Sequence, residues 1–245
     1  MKTLKNSIVV LFMSAFMSLG CMAQNAIQGN IENWSNGEVP LIFNDYISKA
    51  KINMGSISSN GEMIIPLDDD YLSNLKDAAL KAKETAPEGW KMKFNTVESV
   101  FGCGDEGIIY ENASIIFTGL PDLEALNDDE STSYGYIYCT NNTELSTWLF
   151  NYGQGNIAKG YYLRWFYAED NASVKGTCDM PTYTGNADEN YVDTTVYNLE
   201  IKKGWNIIKY AITETFISQE GKISPSKTEI TTIDEVPIDA LWLLL

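Results

Sequence analysis

The sequence predicts a mainly β protein, an antiparallel β-sandwich type of architecture with one accessory helix at about residues 71–85. Three observations lead there. Short runs rich in Val, Ile, Thr, Tyr and Phe recur along the chain, bounded by Gly, Asn, Asp and Pro. One run places Leu72, Leu75, Ala79 and Ala82 at helical spacing. Helices do not alternate with strands, as a doubly wound parallel sheet would require.

The elements follow in order. Ala26 to Asn33, Val39 to Asn44, Ile52 to Ile57 and Met63 to Leu67 read as strands, with turns at Asn36-Gly37 and Asn60-Gly61. Asn-Gly supplies the positive φ that tight hairpin turns need. The helix has Asp68 to Asp70 at its start and Lys81 and Lys83 near its end, charges that complement the helix dipole, and Pro87-Glu88-Gly89 stops it. Further strands are expected at Lys91 to Val97, Gly107 to Thr118, Tyr134 to Cys139, Glu144 to Asn151, Gly160 to Ala168, Tyr191 to Ile201, Trp205 to Thr215 and Ile238 to Leu245. Polar Ser218 to Glu235, with Gly221 and Pro225, is expected to be a long surface connection. The organisation expected is a small β module with the helix over 24–90 and a larger antiparallel β domain over 91–245, or one domain spanning both. The turn pattern around Gly55-Ser56-Ile57-Ser58 and Asn60-Gly61-Glu62-Met63 resembles the N-terminal strands of secreted or surface β-sandwich proteins of Gram-negative gut-type bacteria. That resemblance implies an exported sandwich and carries no site residue.

An address is written at the N-terminus. Lys2 and Lys5, the apolar run Ile8 to Leu19 and the small residues to Ala23 have the form of a secretory signal over residues 1–23. Cutting after Ala23 leaves a free chain from Gln24. Alternatively, Ser18-Leu19-Gly20-Cys21 resembles a lipobox, with Cys21 lipidated and tethering the product to a membrane. Ser18 stands where lipoproteins usually carry Leu, which favours the free product. The expected location is extracytoplasmic: periplasmic, secreted or attached to the outer membrane. Asp193-Thr194-Thr195 resembles the short O-glycosylation acceptor of such bacteria and supports the same address.

Composition removes several function classes. The formal charge is -16, and without the signal 15 basic residues stand against 33 acidic ones. Nucleic-acid binding relies on Lys and Arg displacing counterions from phosphates, so nucleic acid is not an expected partner. A membrane is expected only through lipid on Cys21. There is no histidine, which excludes Ser-His-Asp and Cys-His nucleophiles and His-built zinc sites. Arg164 is the only arginine. Beyond Cys21 the cysteines are Cys103, Cys139 and Cys178, allowing one disulfide and one single thiol, at spacings wrong for zinc.

Each motif must pass a test of context. Gly102-Cys103-Gly104-Asp105-Glu106-Gly107 matches the dinucleotide fingerprint in letters, but it carries two carboxylates and leads into a strand instead of a helix, so a turn is expected. Ser224-Pro225-Ser226-Lys227 matches S-x-x-K, but Pro225 in a polar segment points to a solvated loop. The clusters Asp68-Asp69-Asp70, Asp128-Asp129-Glu130 and Asp188-Glu189 have oxygen donors of the kind calcium takes, without EF-hand spacing. No cofactor and no metal site is expected; calcium stays open, with no ligand set assigned.

Aromatic residues carry the remaining signal. As a strand, Gly160 to Tyr167 puts Tyr161, Leu163, Trp165 and Tyr167 on one face and Tyr162, Arg164 and Phe166 on the other. If the second face is exposed, Tyr162, Arg164 and Phe166 form a platform for a sugar ring or a peptide; if both faces are buried, Arg164 needs an ion-pair partner. The function expected is a non-enzymatic, exported binding or adhesion module, or an envelope-associated one, with a glycan or a surface protein as partner. The alternatives are an enzyme using carboxylates alone, such as a glycoside hydrolase, and a structural envelope protein without a small ligand.

Overall fold

The structure, a computed structural model, describes residues 25–45, 50–89, 91–104, 107–127, 129, 131–186 and 188–245. The segment expected to be a secretory signal, with Cys21, and Asp105, Glu106, Asp128 and Glu130, lie outside the described residues.

The chain is mainly β, antiparallel and of sandwich type, as its pattern of short runs predicts. Its first strands are β1 (Ala26–Asn30), β2 (Val39–Asn44), β3 (Lys51–Ile57) and β4 (Glu62–Pro66). The Asn60-Gly61 turn joins β3 to β4 with Gly61 at φ +88°, the left-handed region that glycine enters without strain. Asn36-Gly37 also turns the chain, but β1 pairs with β4 and not with β2.

The expected helix forms as α1 (Tyr71–Thr85). Its first turns are anchored: Leu72 is buried, the Tyr71 hydroxyl donates to Gly119 O at 3.1 Å, and Lys76 pairs with Glu169 at 2.8 Å. Two short helices join it, α2 (Val97–Val100) and α3 (Thr143–Phe150). Their neighbours correct two sequence expectations. Lys91 to Asn95 is irregular, and Thr96 accepts from Ser99 N to cap α2. Glu144 to Asn151 is helix and not strand, because Asn142 accepts from Glu144 N at 2.9 Å while Leu145, Trp148 and Leu149 fall on one helical face.

The remaining strands are β5 (Ile108–Glu111), β6 (Phe117–Gly119), β7 (Glu124–Leu126), β8 (Ser133–Thr140), β9 (Gly160–Ala168), β10 (Ala172–Tyr183), β11 (Asn190–Ile201), β12 (Gly204–Ile217), β13 (Ile223–Ile233) and β14 (Leu241–Leu244). Among the described residues the sheet runs β1-β4-β3-β2-β7-β8-β9-β12-β13-β11-β10-β5, with β14 on β8 and β6 on β9. The supposed connection Ser218 to Glu235 is therefore mostly β13, paired with β12 on one side and, in parallel, with β11 on the other. Its threonines are polar yet β-branched, so they favour a strand that is half exposed. Pro225 sits opposite Thr215 next to a register shift, where its missing N–H costs no ladder bond.

One passage of chain sets the sandwich. Strands β8 and β9 meet only at Thr140 and Tyr162. Beyond that pair a strap, Leu120 to Leu123, fills the seam: Leu120 N donates to Trp165 O at 2.8 Å and Ile137 N to Leu123 O at 3.0 Å. The chain thus leaves β9 as β6 and joins β8 as β7, and the sheet divides into two layers. On its other edge β8 carries β14, whose Trp242 bridges to Ile31, so the first layer almost closes on itself. Gly29 permits this approach, since a Cβ there would clash with the Trp242 indole.

Buried clusters follow from this arrangement. The largest is shared by the two layers and draws on Ile27, Leu41, Ile57 and Ile65 of β1 to β4 together with Leu163 and Trp165 of β9 and Trp242 of β14. A second lies on the opposite face of the other layer, under α2 and β6, around Phe101, Phe117, Val174, Leu199 and Ile208. A third packs Leu145 of α3 against Ile157 and Ile212.

A disulfide joins Cys103 to Cys178, a bond more typical of proteins outside the cytoplasm. No helix among the described residues is long and apolar enough to cross a membrane. Cys139 is a buried free thiol whose pKa burial pushes up to about 12, so it stays protonated at neutral pH. Protein comprising residues 24–245 is expected to leave Ellman's reagent unreacted while native and to release one thiol equivalent when unfolded without reductant. Rapid reaction of the native protein would contradict this burial.

Candidate functional site

Strand β9 alternates as its sequence requires. Tyr161, Leu163 and Trp165 are buried in the first cluster, and Tyr162, Arg164 and Phe166 share the opposite, half-buried face. Tyr167 lies near the end of the strand, beyond the buried core. It is half exposed and joins a three-ring group with Tyr71 and Trp205, at centroid distances of 6.1 Å and 5.5 Å, where its hydroxyl donates to Asp69 O.

The outer face of β9 forms the floor of a depression of about 400 Å³, walled by the strap and by Leu149 of α3. Its rings are arranged in two stacks. Tyr162 lies parallel to Tyr210 of β12 at 4.8 Å, and Phe166 lies parallel to Phe117 at 4.6 Å. Arg164 sits between the stacks and donates from Nη1 to Asp122 Oδ1 at 2.5 Å. The pair is 35% and 54% exposed, which leaves polar edges open to a ligand while limiting its contribution to stability to about 1 kcal/mol or less. Desolvation works to lower the Arg164 pKa, but the adjacent Asp122 carboxylate outweighs it and raises the value. Burial pushes Tyr162 up to about 12 and raises Tyr210 as well, so both phenols are neutral hydrogen-bonding groups.

Three of these participants, Tyr210, Phe117 and Asp122, escape the sequence reading. Tyr210 is recoverable from the alternation of Ile208, Tyr210 and Ile212 in β12, once β12 is known to pair with β9. Asp122 carries no signal, because it lies in irregular chain that only the divided sheet brings to Arg164.

The other motifs resolve structurally. Gly102 to Gly104 leads through the disulfide-bonded Cys103 toward β5, in a turn-to-strand context. Ser224 to Lys227 is strand and not loop, with Lys227 3.7 Å from both Glu214 and Glu229. Asp68 accepts from Asp70 N and from Asn74 Nδ2, at 2.8 Å and 3.1 Å, and so shapes the entry to α1. Among the described residues no group of three or more Cys, Asp or Glu side chains is placed to hold a metal ion.

Further cavities are present among the described residues. A groove of about 580 Å³ separates α1 from β3 and β4, with Met54, Ile64 and Leu75 on its walls. A cleft of about 350 Å³ opens where β11 turns into β12, between Trp205, Lys202 and Asp234 and above Trp165. No protein-family model, curated protein or solved structure matches the chain.

Proposed function

We propose that this chain is an exported binding module, working in the periplasm, at the outer membrane or outside the cell, and that it holds a neutral carbohydrate in the depression on the outer face of β9. The observation that carries the reading is the half-exposed Arg164–Asp122 pair set between two aromatic stacks. Paired donors and acceptors of that kind meet vicinal hydroxyls, and flanking rings meet the apolar C–H faces of a sugar. Charge argues for a neutral ligand: the chain has formal charge -16, and its one guanidinium is already engaged by a carboxylate. The secretory segment and the Cys103–Cys178 disulfide support the address.

The test is an array of neutral and acidic glycans probed with residues 24–245. Binding to neutral glycans is expected to fall at least tenfold in Arg164→Ala and in Tyr210→Ala, with both variants retaining a cooperative melt. Undiminished binding by both folded variants, or a preference for acidic glycans, would overturn the reading.

A further inference from the structure

We infer that the carbohydrate held in the depression on β9 is an oligosaccharide, and that Tyr152 and Tyr138 receive the units that extend past Leu149. The inference rests on the carbohydrate reading above and names the ligand class of that same site. Tyr152 provides the key observation. Its ring is 93% exposed, although its backbone is held in the left-handed region at φ +53°. Among the described residues only two other non-glycine residues have positive φ, and both are Asn, whose side chain tolerates that conformation.

The strain has a local cause. Tyr152 follows α3 and its Asn151 cap; its N–H donates to Leu149 O at 3.0 Å, and the N–H of Gly153 donates to Trp148 O at 2.9 Å. This pair of bonds is the Schellman ending of a helix. The position Tyr152 occupies in it is the one that glycine fills most often, because a Cβ there crowds the backbone. A ring so exposed draws little from packing to offset that cost. Non-glycine residues held in this region cluster at ligand clamps and active sites, where the strain is part of the function.

The surroundings say what the ring meets. Leu149, three residues before Tyr152, is a wall of the depression. It also lines a small cavity at the β8–β9 seam, together with Asp122, Tyr138, Tyr162 and Arg164. Continuing the antiparallel register from Thr140 opposite Tyr162 places Tyr138 across from Arg164, on the same face. Burial above all raises the Tyr138 pKa; the Asp122 carboxylate adds to the rise, and so does Tyr152, so these groups lie within electrostatic reach of one another. An aromatic path thus leads from the Tyr162–Tyr210 stack, past Arg164 and Asp122, to Tyr138 and Tyr152. A chain of neutral sugars repeats C–H faces and hydroxyls along its length, which matches a row of rings and phenol hydroxyls with one ion pair.

Titration calorimetry of residues 24–245 with neutral oligomers of glucose, xylose and mannose, two, four and six units long, tests this. At least one series is expected to gain tenfold or more in affinity from two units to six. Tyr152→Gly is expected to remove most of that gain and, because glycine enters the left-handed region freely, to raise the melting temperature by about 2 to 4 °C. Tyr152→Asn should lose the same affinity, since the ring and not the backbone meets the ligand. Arg164→Ala, inside the depression, is expected to weaken every length. A length dependence that survives in both Tyr152 variants, or equal affinity for two and six units, overturns the extension and leaves the depression standing. A melting temperature that falls in Tyr152→Gly gives the residue a packing role and overturns it too. Undiminished binding in Arg164→Ala overturns the depression and the extension with it, and absence of binding to every oligomer overturns the extension.

Discussion

Replacing Cys103 and Cys178 together by Ser is expected to destabilise the protein by about 2 to 4 kcal/mol and to lower its melting temperature by roughly 5 to 15 °C. The bond spans 75 residues of chain, so its loss frees a long loop in the unfolded ensemble, and the penalty grows with loop length. It also has a local consequence in the folded state. Cys103 follows α2, and Cys178 lies midway along β10, so the bond pins the α2 cap to the layer it covers. Hydrogen exchange after reduction is therefore expected to rise first in residues 95–119. Calorimetry of oxidised protein, reduced protein and the double Ser variant checks the size of the effect, and the last two should agree. A melting temperature unchanged by reduction would show that the cap is held by packing alone.

Phe117→Ala carries the other large effect, about 3 to 5 kcal/mol of lost stability, the usual cost of truncating a fully buried Phe. Phe117 is fully buried in a three-ring group, with Phe101 at 5.5 Å and Phe166 at 4.6 Å, and those two rings 6.4 Å from each other. Removal opens a cavity that the β6 backbone cannot close, because Phe117 itself is paired to Ala168 in the ladder. Phe166→Ala leaves a half-exposed position and is expected to cost distinctly less. The two substitutions remove the same ring contact, so the double variant should be less destabilised than their sum, by about 0.5 to 1.5 kcal/mol. Denaturant unfolding of the four proteins measures this. Strict additivity would mean that the stack contributes nothing beyond burial.

The outer face of β9 was legible because strand alternation is a local property. The run Tyr161 to Tyr167, aromatic or aliphatic apart from Arg164, defines two faces whatever the partner strands are, and Tyr162, Arg164 and Phe166 fall on one of them. What that face looks like was not legible. The ring partners Tyr210 and Phe117 and the counter-ion Asp122 come from three separate segments. The cleft was less visible still, since Trp165 reads as a core residue and Trp205 as one more strand aromatic until the β11–β12 turn places them at one opening.

Element types were readable where one signal ruled and misread where two competed. α1 formed as its apolar spacing and flanking charges required. Thr143 to Phe150 became helix because an Asn cap outweighed the β preference of Thr and Trp. β13 was hidden by Pro225, Gly221 and its threonines, although a strand tolerates all of them at an end, a bulge or a half-exposed face.

By itself, then, the chain determined its β class, its long helix α1, its acidic composition and the chemistries closed to it, because composition and short-range periodicity act without knowledge of the fold. Only the tertiary structure decided which cysteines pair, where the sheet divides at the strap, and which charge meets Arg164. Those outcomes depend on contacts between residues far apart in sequence, and their energies exist only once the two layers have closed on a common core.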